Sequence, residues 1–193
     1  MALAAGMRVR HIFFFCLAVA LGLAVLALTR PYLLDRVTTF MHPVGDPTGS
    51  GYQIKQSLIA VGSGGWFGRG FGQSVQKFHY LPEPTGDSIF SVAAEEFGFV
   101  GSVAIIGLFV LFALRGFHIA ARAPDRFGGL TVVGIVILII TQSFLNIASM
   151  VGLVPLTGEP LVFISHGGTA LLFALAGVGM VLNISRFTTA QTL

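Results

Sequence analysis

Four apolar runs, residues 11–29, 89–114, 130–152 and 161–184, leave this chain few folds to choose from. A helix needs about 20 mostly apolar residues to cross a hydrocarbon core roughly 30 Å thick, and each run is close to or above that length. In lipid, every backbone N–H and C=O must find its partner inside the protein, which a helix achieves within its own segment. The expected fold is therefore all-α: a polytopic membrane protein with about four transmembrane helices and a long loop, residues 30–88, after the first. Composition agrees, since 54% of residues are hydrophobic and 10% charged, against about 25% charged in a soluble domain.

The first run has a second reading, because Arg8 and Arg10 before an apolar stretch from Ile12 also describe a secretory signal. Such a signal ends in a small-residue cleavage site, which Ala27-Leu-Thr29 fits poorly. A retained helix is the reading adopted. Positive charge then sets the orientation, since basic residues collect in short cytoplasmic loops. Arg8, Arg10, Arg115, Arg122, Arg126 and Arg186 fall on one side, and the short 153–160 turn opposite them holds none. Both termini are expected in the cytoplasm. Loop 30–88 is expected outside, its five basic residues notwithstanding, because long loops cross largely regardless of charge.

A net charge of +3 brings nucleic acid to mind, but the basic residues are scattered and form no stripe. Cys16, the single cysteine, lies within the first run, so no internal disulfide is available and its expected role is packing.

The loop is not uniform. Residues 31–42 put Leu33, Leu34, Val37, Phe40 and Met41 at helical spacing, as in a helix lying on a membrane surface. A Pro/Gly/Asp/Ser turn follows at 43–51, then an amphipathic piece at 52–61. Gly62-Ser-Gly-Gly-Trp-Phe-Gly-Arg-Gly-Phe-Gly72 has the composition of a phosphate-cradling loop. It lacks both the Gly-Lys-Ser/Thr ending and the G-x-G-x-x-G spacing, so a close-packed turn is expected there.

Lys77-Phe-His-Tyr-Leu-Pro-Glu-Pro-Thr-Gly-Asp-Ser-Ile-Phe90 carries Lys77, Glu83 and Asp87 to the mouth of the second run. Ionisable groups at a membrane entrance are functional candidates by default. Asp87 has two readings: a helix N-cap, or a general base acting on a membrane-anchored substrate. Glu95 and Glu96 follow, about 12–14 Å into a regular helix. At that depth a carboxylate must be paired, protonated or wet, and a water-filled cavity opening outward is the expectation. Gln142, Ser143, Asn146 and Ser149 form a polar stripe in the third run, read as interhelical hydrogen bonding before a transport path. Ile164-Ser-His-Gly-Gly-Thr-Ala170 opens the fourth run, adding Ser165 and His166 to the polar groups at the outer face.

Seven segments together carry a resemblance: Gly49-Ser-Gly-Tyr-Gln53, Gln56-Ser-Leu-Ile-Ala-Val-Gly-Ser-Gly-Gly65, Gln76-Lys-Phe-His-Tyr-Leu-Pro-Glu83, Gly86-Asp-Ser-Ile-Phe90, Ala94-Glu-Glu-Phe-Gly98, Ala123-Pro-Asp-Arg-Phe-Gly128, and Pro155-Leu-Thr-Gly158 with Phe163-Ile-Ser-His-Gly-Gly168. In order and spacing they resemble the shape, elongation, division and sporulation (SEDS) family of bacterial membrane proteins, its FtsW branch more than its RodA branch. The resemblance implies a peptidoglycan glycosyltransferase that polymerises lipid II at the outer face of the cytoplasmic membrane, beside a class B penicillin-binding protein and other division or elongation proteins. It maps the family's essential aspartate onto Asp87. Lys77, Glu83, Arg69, Glu95, Ser165 and His166 are the candidate substrate contacts. Lys77, Arg69 or a divalent cation, Mg or Mn, held at Asp87 would balance charge on the pyrophosphate leaving group.

The family shows Ser-Tyr-Gly-Gly where this chain has Ser165-His166-Gly167-Gly168, and His-Thr-Asp where it has Thr85-Gly86-Asp87. Glu159 also stands where an apolar or small residue is expected. The family has about ten spans, so the chain corresponds to its C-terminal part, and this polypeptide is expected to be inactive alone. The rival readings are a non-catalytic scaffold for the penicillin-binding protein and a lipid II flippase.

Overall fold

A computed structural model describes residues 9–29 and 49–189. Helix α1 runs Val9–Thr29, α2 Ser50–Ser63, α3 Gln76–His79, α4 Ile89–Ala121, α5 Arg126–Met150 and α6 Gly168–Thr189. There is no strand among the described residues. Helices α4 and α5, and Gly168–Phe187 of α6, are long and apolar enough to cross a membrane, and α1 adds a fourth apolar helix of 21 residues. The surface helix expected at 31–42 lies outside the described residues.

Helices α4 and α5 form an antiparallel hairpin. Pro124 forbids continuation of α4, and Asp125, in extended conformation, caps α5 by accepting from the Gly128 N–H at 2.9 Å. The hairpin closes tightly because Gly116 faces Val136: a Cβ there would overlap the valine side chain. Val132, Val136 and Val181 then make a core near the α4–α5 connection, shared with α6. A second core, of Ile54, Phe90, Phe109, Ile147, Met150, Leu156 and Leu161, joins α2 and the 153–161 turn to α4 and the C-terminal half of α5.

Two element boundaries differ from the apolar runs. The fourth run starts at residue 161, yet α6 starts at Gly168. Residues 161–167 instead fold into a turn, where Ser165 accepts from the Leu161 N–H at 2.8 Å and Phe163 sits at φ 70°. The second run is one helix by hydropathy, but Gly98, at φ 68° and ψ −163°, breaks it.

That break is filled by the glycine-rich loop. In an unbroken helix the carbonyls of Glu95 and Glu96 would accept from the N–H groups of Phe99 and Val100. Here they accept from Arg69 and Gly70, each at 3.0 Å, while Phe99 and Val100 donate to Gly65 at 2.8 Å and Trp66 at 3.1 Å. Four bonds to the loop replace two within the helix, so these four backbone groups keep partners across the break. The approach is backbone to backbone. A Cβ on Gly64 or Gly68 would overlap a carbonyl of α4, and one on Gly98 would overlap the backbone at Phe67 and Gly68.

Candidate active site

The N-terminal end of α4 brings together two groups of polar side chains. The upper group surrounds Asp87. The N-cap position belongs to Ser88, and its side chain makes no capping bond, which corrects the capping reading of Asp87. The Ser88 hydroxyl instead donates to the Pro82 carbonyl at 3.0 Å, and the Glu83 carbonyl accepts from the N–H groups of Gly86 and Ser88. These bonds close residues 82–88 into a compact turn, with Glu83 at φ 46° and exposed.

Neighbouring elements hold the turn from outside. The buried Asn146 of α5 donates to both the Asp87 and the Glu159 carbonyls at 2.7 Å. The His166 N–H donates to the Thr85 carbonyl at 2.8 Å. Gln53 of α2 donates to Asp87 Oδ1 at 3.2 Å and to Ser88 Oγ at 2.9 Å. Asp87 is half-buried, and its Oδ2 makes no hydrogen bond among the described residues. The carboxylate is thus oriented through one oxygen while the other is left to act.

The lower group lies eight residues beyond Asp87, about 12 Å at the rise of a helix. Glu95 is fully buried. It accepts from Ser74 Oγ at 2.6 Å, from the N–H groups of Val75 and Gln76 at 3.2 and 3.3 Å, and pairs with Arg69 at 3.4 Å. Glu96 pairs with Lys77 at 3.4 Å, and Lys77 also lies over the Phe78 ring. The expected water-filled cavity is replaced by protein donors: the loop wraps both carboxylates, supplying one cation to each. Burial of a carboxylate is tolerated on those terms.

Glu95→Gln should lower stability by about 1.5–3 kcal/mol, the worth of hydrogen bonds to a charged acceptor. A thermal melt in detergent checks this; an unchanged melt would mean the loop is held without Glu95.

The stripe on α5 also resolves into anchoring. Gln142 donates to the Glu159 carboxylate at 3.2 Å, and Asn146 bonds the two loop carbonyls named above. Ser143 and Ser149 bond carbonyls of their own helix. Glu159, out of place by family pattern, thus has a partner in Gln142.

Of the residues singled out in the sequence, Asp87, Glu83 and His166 come together at the upper turn, and Arg69, Lys77 and Glu95 at the break. Ser165 closes its own turn and so delivers the His166 N–H. Gln53 was not singled out for chemistry: only its place in Gly49-Ser-Gly-Tyr-Gln53 signals it, because its partner is 34 residues away. Among the described residues no cluster of three or more His, Cys, Asp or Glu side chains is disposed to hold a metal.

The family model for cell cycle proteins of the FtsW, RodA and SpoVE type matches residues 1–190. Stage V sporulation protein E of Bacillus subtilis is 47% identical over 184 residues, covering 95% of this chain and 50% of that protein. A probable peptidoglycan glycosyltransferase FtsW of a Geobacter species is 43% identical, covering 96% of this chain and 50% of the other. The chain therefore spans about half the length of these curated relatives.

Among solved structures, one described as structural coordination of polymerization and crosslinking by a peptidoglycan synthase complex superposes with a TM-score of 0.72 at 30% identity, covering 93% of this chain and 49% of that one. An alanine variant of the Thermus thermophilus rod shape determining protein RodA gives 0.52 at 35% identity, over 67% of this chain and 39% of the other. With a family match along nearly its whole length and relatives above 40% identity, this membrane chain belongs to the FtsW/RodA/SpoVE family of cell cycle proteins.

Proposed function

We propose that this chain carries the catalytic loop of a peptidoglycan glycosyltransferase that joins lipid II units into glycan strands. The observation that carries the reading is Asp87: half-buried, fixed through Oδ1 by Gln53 and through its carbonyl by Asn146, with Oδ2 open. A general base needs this combination of fixed orientation and a reachable oxygen. The sugar 4-hydroxyl attacks the anomeric carbon of the second lipid-linked sugar, its proton passes to Asp87, and undecaprenyl pyrophosphate departs with its bonding electrons. The anomeric centre inverts.

Glu83 and His166, exposed around the same turn, are assigned to the sugars. Arg69 of the glycine-rich loop and Lys77 of α3, at the level of the break in α4, are assigned to the pyrophosphate, where fixed cations stabilise developing charge. Glu95 holds Arg69, and Ser165 holds His166, so both act through a neighbour. A magnesium or manganese ion at Asp87 would take most of its ligands from substrate phosphates, because among the described residues no cluster of three or more His, Cys, Asp or Glu side chains is disposed to hold it. The loop faces outward with both termini cytoplasmic, and a class B penicillin-binding protein is the partner that cross-links the strands.

The reading is tested by glycan-strand synthesis from lipid II, with the chain alone and joined to the remaining half of a matched relative. Wild-type rates from an Asp87→Asn variant would remove it. Gln53→Ala should lower kcat by about tenfold, as expected for loss of positioning worth about 1.4 kcal/mol. KM should barely move, and restoration by Gln53→Asn would show that the amide acts through Asp87 and touches no substrate.

A further inference from the structure

We propose that the outer edge of the hydrocarbon core lies at the Gly98 break, and that Trp66, Phe67 and Phe71 of the glycine-rich loop, with Phe97 and Phe99, sit in the lipid headgroup–acyl boundary. The partner of this surface is the bilayer itself. The inference stands apart from catalysis at Asp87.

Length argues for it first. Helix α4 has 33 residues, about 50 Å at 1.5 Å per residue, far more than a core of roughly 30 Å. Its uncharged stretch is Phe97–Leu114, bounded by Glu96 and Arg115, which spans about 27 Å. The first eight residues of α4 then stand about 12 Å clear of the hydrocarbon.

Burial changes at the same point. Phe90 through Glu96 are all buried by the protein's own loops, whereas Phe97, Phe99, Val100 and Val103 are exposed. An exposed apolar face begins where protein cover stops, and it continues down α4 through Leu108, Leu111 and Leu114.

The loop that fills the break is aromatic on its outer side. Trp66, Phe67 and Phe71 are 70%, 83% and 82% exposed. Trp66 packs edge-on against Phe99 at 5.3 Å, and Phe71 lies 6.0 Å from Phe97. The collar is thus continuous with the lipid-facing side of a membrane span. Tryptophan concentrates at this level because its amphipathic ring satisfies both media, and the phenylalanines around Trp66 bring apolar area to the acyl side of the boundary.

Charge excludes a deeper seat. The side chains of Arg69 and Lys77 are 43% and 33% exposed at the level of the collar. In hydrocarbon an exposed cation costs about 2.5–3.5 kcal/mol even on the most lenient scale, whereas at the boundary it reaches headgroups and water.

Trp66 is the chain's one tryptophan, so its emission reports this site alone. The full chain is reconstituted in phosphatidylcholine vesicles whose acyl chains carry bromine either near the headgroup or near the terminal methyl. Shallow bromine is expected to remove most of the Trp66 emission, and deep bromine much less. Emission equal to that in unbrominated lipid would mean that water or protein covers the indole, a second copy or another polypeptide included, and would overturn the proposal. Stronger quenching by deep bromine would overturn it equally. A Trp66→Phe, Phe71→Trp pair moves the probe across the loop and should give the same order of quenching.

Discussion

Replacing Asp87 by asparagine should lower glycan-strand synthesis about 10²- to 10⁴-fold, the usual worth of a positioned general base, while leaving the protein folded. The substitution is close to a single-group change. Asparagine keeps an oxygen that can accept from Gln53 and Ser88, and the backbone carbonyl bonded by Asn146 is untouched. What disappears is the charge and the basicity of Oδ2. Elution as a single species and an unchanged melt in detergent would establish that the fold survives. A variant that melts normally and still polymerises at the parent rate would show that the hydroxyl proton leaves by another route.

Gly98→Ala should destabilise the protein by more than about 3 kcal/mol, a large fraction of the about 5–15 kcal/mol that holds a typical domain folded. Two costs add. The backbone at φ 68° and ψ −163° lies in a region that is essentially glycine's alone and costs another residue about 1–3 kcal/mol. The new Cβ would also overlap the backbone at Phe67 and Gly68. Relief means withdrawing the loop and forfeiting its four hydrogen bonds to Glu95, Glu96, Phe99 and Val100, each worth about 0.5–1.5 kcal/mol net. Gly62→Ala is the contrasting change, because Gly62 is helical and a Cβ there meets nothing within 4 Å. It should be neutral or stabilising by up to about 1 kcal/mol. Melting temperatures measured side by side decide the matter: equal losses at the two sites would mean that glycine content, and not the close approach, is what counts.

The two substitutions mark the limits of the sequence reading. Asp87 was legible because its segment carries a recognisable motif at a membrane mouth. Its immediate support was not, since Gln53 and Asn146 reach it from 34 and 59 residues away. Glu95 and Glu96 were read as carboxylates set into one regular helix beside a water-filled cavity. Both are buried in the protein because the helix ends its regular course at Gly98 and the loop passes around it with a cation for each carboxylate. A glycine inside an apolar run gives no sign of whether it is a packing site, like Gly116, or a break, like Gly98. The two differ only in what arrives opposite them.

The sequence by itself determined the class of the fold and the side of the membrane runs on which the candidate site residues lie. Apolar runs of membrane length force helices wherever lipid supplies no hydrogen-bond partner, and every carboxylate but Asp125 lies on one side of those runs. Local pattern suffices there because the bilayer, not the rest of the chain, sets the terms. Only the tertiary structure decided that the second run is broken, that the glycine-rich loop completes it, and that Asp87 is held by α2 and α5 while the carboxylates below it are sealed. Those outcomes rest on backbone groups meeting across tens of residues, and a backbone N–H or C=O looks the same in every sequence until a neighbour fails to satisfy it.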